Sequence, residues 1–218
     1  MKIAYLGSQD ESKIDIAVRE AVNFLREGGV IVYPTDTLYG IGCDAFNEKA
    51  VSEVLKIKKR NSGKPLSVVV RSIEAIKKIA FVDKDREWVA RELLPGPFTL
   101  IFPGVKHVPE IVTGGENSIG IRIPDHPITR KLAEQFENPI ITTSVNMSGE
   151  RPINDPFAIA EYFKTLEDRP ELILDYGKIV NAHPSVVIDI TQKRPQIMRT
   201  GMMSVEEIKN LLERLQKF

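Results

Sequence analysis

The sequence predicts an α/β fold of the α+β type, in which helices flank one twisted sheet of mixed parallel and antiparallel strands. Short apolar runs rich in valine and isoleucine recur along the chain, and glycine, proline or polar residues bound most of them. Longer segments between many of these runs place apolar residues at helical spacing. The first pattern is typical of strands and the second of amphipathic helices. Because strands and helices alternate, helices packed on a mixed sheet are the simplest architecture.

The first predicted elements lead into a polar loop. Residues 3–6 are predicted to form a strand, and residues 14–27 a helix that ends at Gly28 and Gly29. A second strand at residues 30–33 stops at Pro34, so the following segment TDTLYGIG is predicted to be a loop. This loop leaves the carboxyl end of a strand, which is where open α/β sheets bind ligands.

The remaining elements are marked by capping residues and apolar runs. Asn47 is predicted to cap a helix that runs into a basic cluster. Ser204 and Glu207 have the spacing of a capping box, which predicts the start of the last helix. Further strands are predicted at residues 66–70, 98–102, 118–123, 140–143, 172–174, 186–190 and 196–198.

Composition favours one soluble domain. With 218 residues, of which 42% are hydrophobic, the chain can bury one large core, and we expect a single domain over residues 1–218. Its 30 basic and 30 acidic residues balance, so any anion site must come from local clustering. Since the sequence contains no apolar segment typical of a signal peptide or a membrane span, we expect a cytoplasmic protein with no membrane contact.

Residues that commonly bind metals by their thiol or imidazole groups are few and scattered. Cys43 cannot form an internal disulfide bond, and His107, His126 and His183 have no zinc-type spacing with it. We therefore predict no protein-bound metal and no prosthetic group. A small buried thiol is the favoured interpretation of Cys43, because no histidine lies near it in sequence to activate a nucleophile.

Two segments partly match known phosphate-binding motifs. Gly63 and Lys64 resemble the end of a Walker A loop, but the earlier glycine is missing and Pro65 replaces the magnesium-binding hydroxyl residue. Gly40 and Gly42 fit a dinucleotide fingerprint, but no acidic residue follows at the ribose-binding distance. The alternative for these two glycines is a loop that needs a positive φ or a close backbone approach.

The densest charge feature is the segment KIKKRNSGK, with the cations Lys56, Lys58, Lys59, Arg60 and Lys64. Such a cluster can bind nucleotide phosphates, or it can be the solvated end of a helix, whose dipole favours cations. The strand predicted directly after it holds Arg60 and Lys64 close to the sheet, which favours binding.

Two later strands carry polar residues that suit an anionic ligand. The segment ITTSVNMSG places Thr142, Ser144 and Asn146 at a strand end, where small donors suit triphosphate oxygens or, alternatively, cap a turn. In SIGIRIPDHP, alternation puts Arg122 on the face opposite to the isoleucines. An arginine in a sheet needs an anionic partner, which is either a ligand or a structural carboxylate such as Asp125.

Several segments together resemble the YrdC/TsaC family in order and spacing: YPTDTLYGIGCDA, K-x-R followed by KPLSVVV, LPGPFTLIF, IGIRIPDHP, TTSVNMSG, PSVVIDI and MRTG. The resemblance extends from Ile31 to Gly201, and its K-x-R and S-x-N elements are specific in combination. It implies a YrdC-like fold and an L-threonylcarbamoyladenylate synthase, a nucleotidyltransferase that uses L-threonine, bicarbonate and ATP and releases pyrophosphate. It also implies that a transferase complex then modifies tRNA with the product.

The resemblance further implies which residues act. By matching positions, the catalytic residues would be Lys58 and Arg60. Those that bind ATP would be Arg60, Lys64, Ser118, Ser144, Asn146 and Arg199. Those that bind threonine would be Thr37, Val69, Arg122, Thr142 and Ser185. Magnesium is expected to arrive on the ATP, and the nearby acids Asp36 and Asp44 either assist it or merely cap turns.

The residues agree with this chemistry. An N-carboxylate of threonine must attack the α-phosphorus of a polyanion, so cations have to neutralise and align like charges. Such a transfer needs no protein nucleophile, which suits a site without a Cys/His pair. One departure is Asn61, where many family members have proline, so the loop after Arg60 is expected to be less rigid. We also expect the short form, without the second domain of the longer subfamily.

Two alternative functions belong to other classes. An RNA-binding module without catalysis would use the basic cluster on a phosphate backbone. Balanced charge and the lack of aromatic residues among the lysines argue against this as the main role, although weak RNA contact is compatible with it. The related domain of hydrogenase-maturation carbamoyltransferases occurs beside zinc-binding cysteines, which this sequence lacks.

Overall fold

Helices and strands alternate along most of the chain. The computed structural model describes residues 1–6, 10–61 and 63–215, and this part contains eight helices and ten strands. The helices are α1 Glu11–Arg26, α2 Glu48–Ile57, α3 Ile73–Ile79, α4 Lys84–Leu93, α5 Glu110–Thr113, α6 Pro127–Phe136, α7 Pro156–Phe163 and α8 Val205–Leu215. Within these residues, no helix combines the length and the apolar character needed to cross a membrane.

The strands form one mixed sheet. They are β1 Lys2–Tyr5, β2 Ile31–Tyr33, β3 Gly40–Gly42, β4 Ser67–Val69, β5 Phe98–Pro103, β6 Ser118–Arg122, β7 Ile140–Ser144, β8 Leu172–Asp175, β9 Val186–Asp189 and β10 Gln196–Arg199. Their order across the sheet is β1-β8-β2-β3-β7-β4-β6-β5-β9-β10. Pairs such as β4 with β6 are parallel, whereas β4 with β7 is antiparallel. The predicted fold class is therefore confirmed.

One predicted loop contains a strand. Gly40–Gly42 forms β3, which pairs antiparallel with β2 and with β7, so the loop prediction for TDTLYGIG was wrong in its last residues. A Cβ atom added at Gly42 would overlap the carbonyl oxygen of Ile141. Only glycine lets the two backbones approach so closely, so Gly42 has the close backbone approach of the alternative interpretation, but in a strand and not in a loop.

The predicted helix caps are confirmed. The Asn47 side chain accepts a hydrogen bond from the backbone N–H of Ala50 at 3.2 Å and so begins α2. Before α8, the Ser204 hydroxyl accepts from the Glu207 N–H at 3.3 Å, and the Glu207 carboxylate accepts from the Ser204 N–H at 2.7 Å. Each cap satisfies backbone donors that a helix start leaves without a partner.

Two helices cover only part of one sheet face. Helices α1 and α6 pack against the sheet through a core that includes the strand residues Ile31, Tyr33, Val69, Ile140, Leu172 and Leu174. Ser67 and Val69 lie two residues apart on β4, so both face this side of the sheet. Val69 lies under the helices, whereas Ser67 lines an open cavity beside them. The two helices thus leave part of the sheet accessible to a ligand.

His126, directly before α6, makes stability depend on pH. Its ring packs edge-on against Tyr176, with ring centroids 4.8 Å apart, and burial lowers its pKa to about 4. Histidine in an unfolded chain titrates near about 6.5, so the unfolded state binds the proton first as the pH falls. Stability from this group is therefore lost between about pH 6.5 and pH 4.

We expect the free energy of unfolding to fall by about 2 kcal/mol between pH 7 and pH 5 because of this one group. Urea unfolding at both pH values measures the change. His126→Phe keeps a ring against Tyr176 but cannot bind the proton, so its stability should change less over the same range. An equal pH dependence in both proteins would contradict this assignment.

Candidate active site

A cavity of about 460 Å³ opens on the uncovered part of the sheet. Most of the predicted site residues line it, namely Thr37, Arg60, Ser118, Arg122, Thr142, Ser144, Asn146, Ser185 and Arg199. Lys58, Lys64 and Val69 lie outside the lining. The structure therefore brings together residues from strands and loops that are far apart in sequence, which is the geometry expected of a binding site.

Arg122 is the buried cation of the cavity. Arg122 is 8% exposed, and its Nη2 atom donates to Asp36 Oδ1 at 2.8 Å and to Thr37 Oγ1 at 2.9 Å. The carboxylate that pairs with Arg122 is therefore that of Asp36 and not that of Asp125. The Asp125 carboxylate lies 3.6 Å from Arg130. Arg122 Nε is buried and has no hydrogen-bond partner among the described residues. The hydrogen-bonding capacity of this donor is therefore unsatisfied within the described residues.

Arg199 reaches the same end of the cavity from the edge strand β10. Its Nε donates to the backbone oxygen of Ser185 and its Nη2 to Ser185 Oγ, both at 2.9 Å. The Ser185 hydroxyl lies 2.7 Å from the hydroxyl of Thr99, and both residues are buried. The three side chains form one hydrogen-bonded network, so the position of Arg199 depends on Thr99, a residue that was not predicted.

The K-x-R and S-x-N elements contact each other through Lys58. Its ammonium group donates to the backbone oxygens of Ser144 and Asn146 and to Asn146 Oδ1. The Ser144 hydroxyl also donates to Asn146 Oδ1, at 2.6 Å. Burial, with the nearby charge of Arg60, lowers the pKa of Lys58 to about 8. All three donors of Lys58 face protein oxygens, so the geometry favours a role in positioning the loop after β7.

The other cations of the cluster differ in their surroundings. Arg60 is half-buried, and its Nη2 donates to the Pro65 oxygen at 2.8 Å. Its buried Nε has no partner within the described residues. Lys64 is exposed, and Lys56 forms an exposed ion pair with Glu53 at 2.6 Å. Only Arg60 of this cluster therefore lines the cavity, and Lys56 fits the solvated helix end.

The cavity carries an excess of positive charge. Arg60, Arg122 and Arg199 line it, and the acidic residue in its lining is Glu150. Burial lowers the pKa of all three arginines, and the charge of Arg199 lowers that of Arg122 further. Asp36 acts in the opposite direction and raises the pKa of Arg122. Because burial disfavours the charged form of each arginine, an anionic ligand bound beside it would stabilise that charge. The site is suited to ligands with several negative charges.

Two smaller sequence predictions are also confirmed. Cys43 is fully buried and burial raises its pKa, so the interpretation as an inert buried thiol holds. Asp44 accepts from the backbone N–H of Phe46 at 2.9 Å, which is the predicted turn-capping role. Within the described residues, no three histidine, cysteine or acidic side chains come together as metal ligands.

Sequence reasoning missed part of the cavity. Thr35 holds the loop before β3, where its hydroxyl accepts from the N–H groups of Thr37 and Leu38 at 3.1 and 3.2 Å. Ser67 and Thr99 line the cavity from strands that are otherwise mostly apolar. Isolated hydroxyl residues in such strands are the signal that could have identified them, since a purely structural face would be apolar.

The chain is similar to proteins of known name. A Pyrococcus abyssi protein named threonylcarbamoyl-AMP synthase is 35% identical over 89% of this chain and 57% of its own length. The crystal structure of P. abyssi Sua5 complexed with L-threonine matches with a TM-score of 0.86 and 34% identity, over 97% of this chain and 61% of that one. This chain therefore spans about three fifths of the P. abyssi chains that it matches.

A relative of similar length also shares the fold. The crystal structure of Escherichia coli YciO matches with a TM-score of 0.79 and 29% identity, over 94% of this chain and 97% of that one. The family model Sua5/YciO/YrdC, described as telomere recombination, matches residues 23–201. That span contains every cavity-lining residue described above. The predicted YrdC resemblance is confirmed, and this chain belongs to the Sua5/YciO/YrdC family.

Proposed function

We propose that this protein is an L-threonylcarbamoyladenylate synthase, which joins L-threonine, bicarbonate and ATP and releases pyrophosphate. The observation that carries the proposal is the convergence of Arg60, Arg122 and Arg199 with small hydroxyl residues in one cavity. The names of the P. abyssi relatives, one an enzyme of this activity and one a complex with L-threonine, support the same reaction.

The two ends of the cavity suit different substrates. At one end, buried Arg122 lies beside Thr37, close to the Arg199–Ser185 network, and this cationic end suits the carboxylate of a small amino acid. At the other end, half-buried Arg60 lies beside the exposed Pro65, at the rim of the cavity. An open rim with a cation suits the larger ATP and its phosphates.

The reaction can be written with balanced atoms. The neutral amine of threonine attacks the carbon of bicarbonate, water leaves, and an N-carboxylate forms. An oxygen of this carboxylate attacks the α-phosphorus of ATP while the bond to the β-phosphate oxygen breaks, so pyrophosphate departs. Both partners are anions, and the arginines offset their repulsion as charge moves to the leaving group. Magnesium belongs to the ATP substrate, and the protein supplies orientation and positive charge.

The product is a mixed anhydride, which is an activated acyl group. Its consumer is a tRNA threonylcarbamoyl transferase complex in the cytoplasm, which accepts the group from this protein. Exposed cations such as Lys59 and Lys64 allow weak RNA contact during this transfer.

Threonine-dependent release of pyrophosphate tests the function directly. Purified protein with ATP, magnesium and bicarbonate should release pyrophosphate only when L-threonine is added. Reactions without bicarbonate serve as the control, since the carboxyl group would then be missing. Release that is independent of threonine would contradict the proposal, and RNA binding without any turnover would favour the non-catalytic RNA-binding module.

Arg60→Ala should lower this turnover at least about tenfold, because losing a transition-state contact of about 1.4 kcal/mol has that effect. Steady-state pyrophosphate release measures it. Lys56→Ala is the matched control, since this cation of the same cluster is exposed and paired with Glu53. An equal loss of turnover in both variants, or unchanged turnover in Arg60→Ala, would contradict a specific role for Arg60. The basic cluster would then be interpreted as the solvated end of a helix.

A further inference from the structure

An uncharged patch lies on the floor of the cavity beside its arginine residues. We call Ser67, Thr99 and Gly120 the central floor. The strand register places Ser67 opposite Thr142 on one side and opposite Gly120 on the other, and Gly120 opposite Ile101. Thr142, Ser67, Gly120 and Ile101 thus form a row across the sheet, Thr99 lies two residues before Ile101 on β5, and all five residues line the cavity.

Gly120 keeps the central floor open. A Cβ atom at this position would lie 2.7 Å from Ser67 Oγ and 3.2 Å from Thr99 Cγ2. Any larger residue would therefore fill the space between the two hydroxyl side chains. The result is a small depression between the hydroxyl group of Ser67 and the methyl group of Thr99, whose own hydroxyl group bonds Ser185 beside it.

Free hydrogen-bond donors surround this depression. Thr99 and Ser185 hold two hydroxyl protons between them, and their mutual bond at 2.7 Å uses only one. Arg199 cannot accept the second proton, because its guanidinium group is a donor and donates to Ser185. Ser67 Oγ makes no hydrogen bond within the described part of the chain. Two hydroxyl donors therefore remain for a ligand.

Arg122 gives an independent indication of a ligand here. It lies two residues from Gly120 on β6, so it faces the same side of the sheet. Although Arg122 is more than nine-tenths buried and lines the cavity, its Nε lacks a partner within the described residues. A buried donor is costly when it stays unpaired, so an acceptor from a ligand is expected beside the central floor.

We propose that the central floor binds the carboxyl group that comes from bicarbonate, and that this is where the N-carboxylate meets the α-phosphorus. The proposal rests on the proposed function. A planar carboxylate accepts hydrogen bonds from Ser67 and from the Thr99–Ser185 pair, and it can reach both ends of the cavity. Neutral hydroxyl donors orient the attacking carboxylate oxygen. They do so without a tight ion pair, which would lower the nucleophilicity of that oxygen.

Initial rates of pyrophosphate release, with each substrate varied in turn, test this assignment. Ser67→Ala and Thr99→Val remove one hydroxyl each, and we expect the KM for bicarbonate to rise at least fivefold while the KM for ATP changes less than twofold. Gly120→Ala fills the depression and should raise the KM for bicarbonate at least tenfold. Thr113→Val is the control, because this buried hydroxyl bonds the Glu110 oxygen and lies outside the cavity.

Thermal melts establish that each variant is folded, and the two hydroxyl deletions introduce no clash even if Gly120→Ala fails to fold. An unchanged KM for bicarbonate in Ser67→Ala and Thr99→Val overturns the assignment. A selective rise in the KM for threonine also overturns it, because the floor would then hold the amino-acid side chain. If the unmodified protein shows no threonine-dependent release, the proposed function itself fails, which is a different result.

Discussion

Arg122→Met is expected to lower threonine-dependent turnover at subsaturating threonine by more than about 100-fold, since losing a buried, charge-assisted contact with the amino-acid carboxylate costs about 3 kcal/mol. The same change should lower the free energy of unfolding by about 3–5 kcal/mol, because it leaves the Asp36 carboxylate buried without its cation. Pyrophosphate release and urea unfolding measure the two effects separately.

A double variant separates these two roles of Arg122. In Asp36→Asn/Arg122→Met the buried carboxylate is gone as well, so most of the lost stability should return. Turnover should stay low, because the Arg122 guanidinium that would bind the amino-acid carboxylate is absent. If the double variant recovers both stability and turnover, Arg122 has only a structural role and the proposed position of the amino-acid substrate is wrong.

Gly42→Ala is expected to lower the free energy of unfolding by more than about 3 kcal/mol, which lowers Tm by roughly 10 °C in a chain of this size. The added methyl group overlaps the Ile141 carbonyl oxygen and lies 2.9 Å from its carbonyl carbon. Both atoms belong to the backbone of β7, so no side-chain rotation can relieve the overlap. The pairing of β3 with β7 has to shift.

Gly63→Ala is the matched control for this substitution. Among the described residues, its added Cβ atom would meet only Asn61 Oδ1, at an ordinary 3.8 Å. Calorimetry should therefore show a Tm close to that of the unmodified protein. A Gly42→Ala protein that melts within about 2 °C of the control would mean that β3 and β7 do not approach as closely as described.

Most of the sheet could be predicted because its strands are apolar runs bounded by turn residues. The second strand ended at Tyr33, as predicted, and the run at residues 98–102 became β5 with one added residue. Strand β3 could not be predicted from local pattern, because two of its three residues are glycine, which is depleted in strands. Strand β3 depends on the close approach of Gly42 to Ile141, a residue about one hundred positions away in sequence.

The site was predicted mainly through the family resemblance. Nine of its implied residues line the cavity, but the spacing of K-x-R could not show that Lys58 points at the loop after β7. Thr99 was also missed, because its importance comes from a hydrogen bond to Ser185, which a linear pattern does not contain. Local sequence identifies which residue types are available, whereas their contacts depend on strand order and register.

Helices α1 and α6 cover only part of one sheet face, so residues on that face differ in how freely they can change during evolution. Beneath the helices, side chains are fixed by packing, so substitutions there are costly. Over the cavity, half-buried side chains such as Arg60 and Ser67 are less constrained by packing, and exchanges of these affect folding less. One half of the face thus preserves the scaffold, while the other half is free to acquire new ligand specificity. The same sheet can therefore be retained while the chemistry of the cavity changes, because function depends on the site and not on the fold.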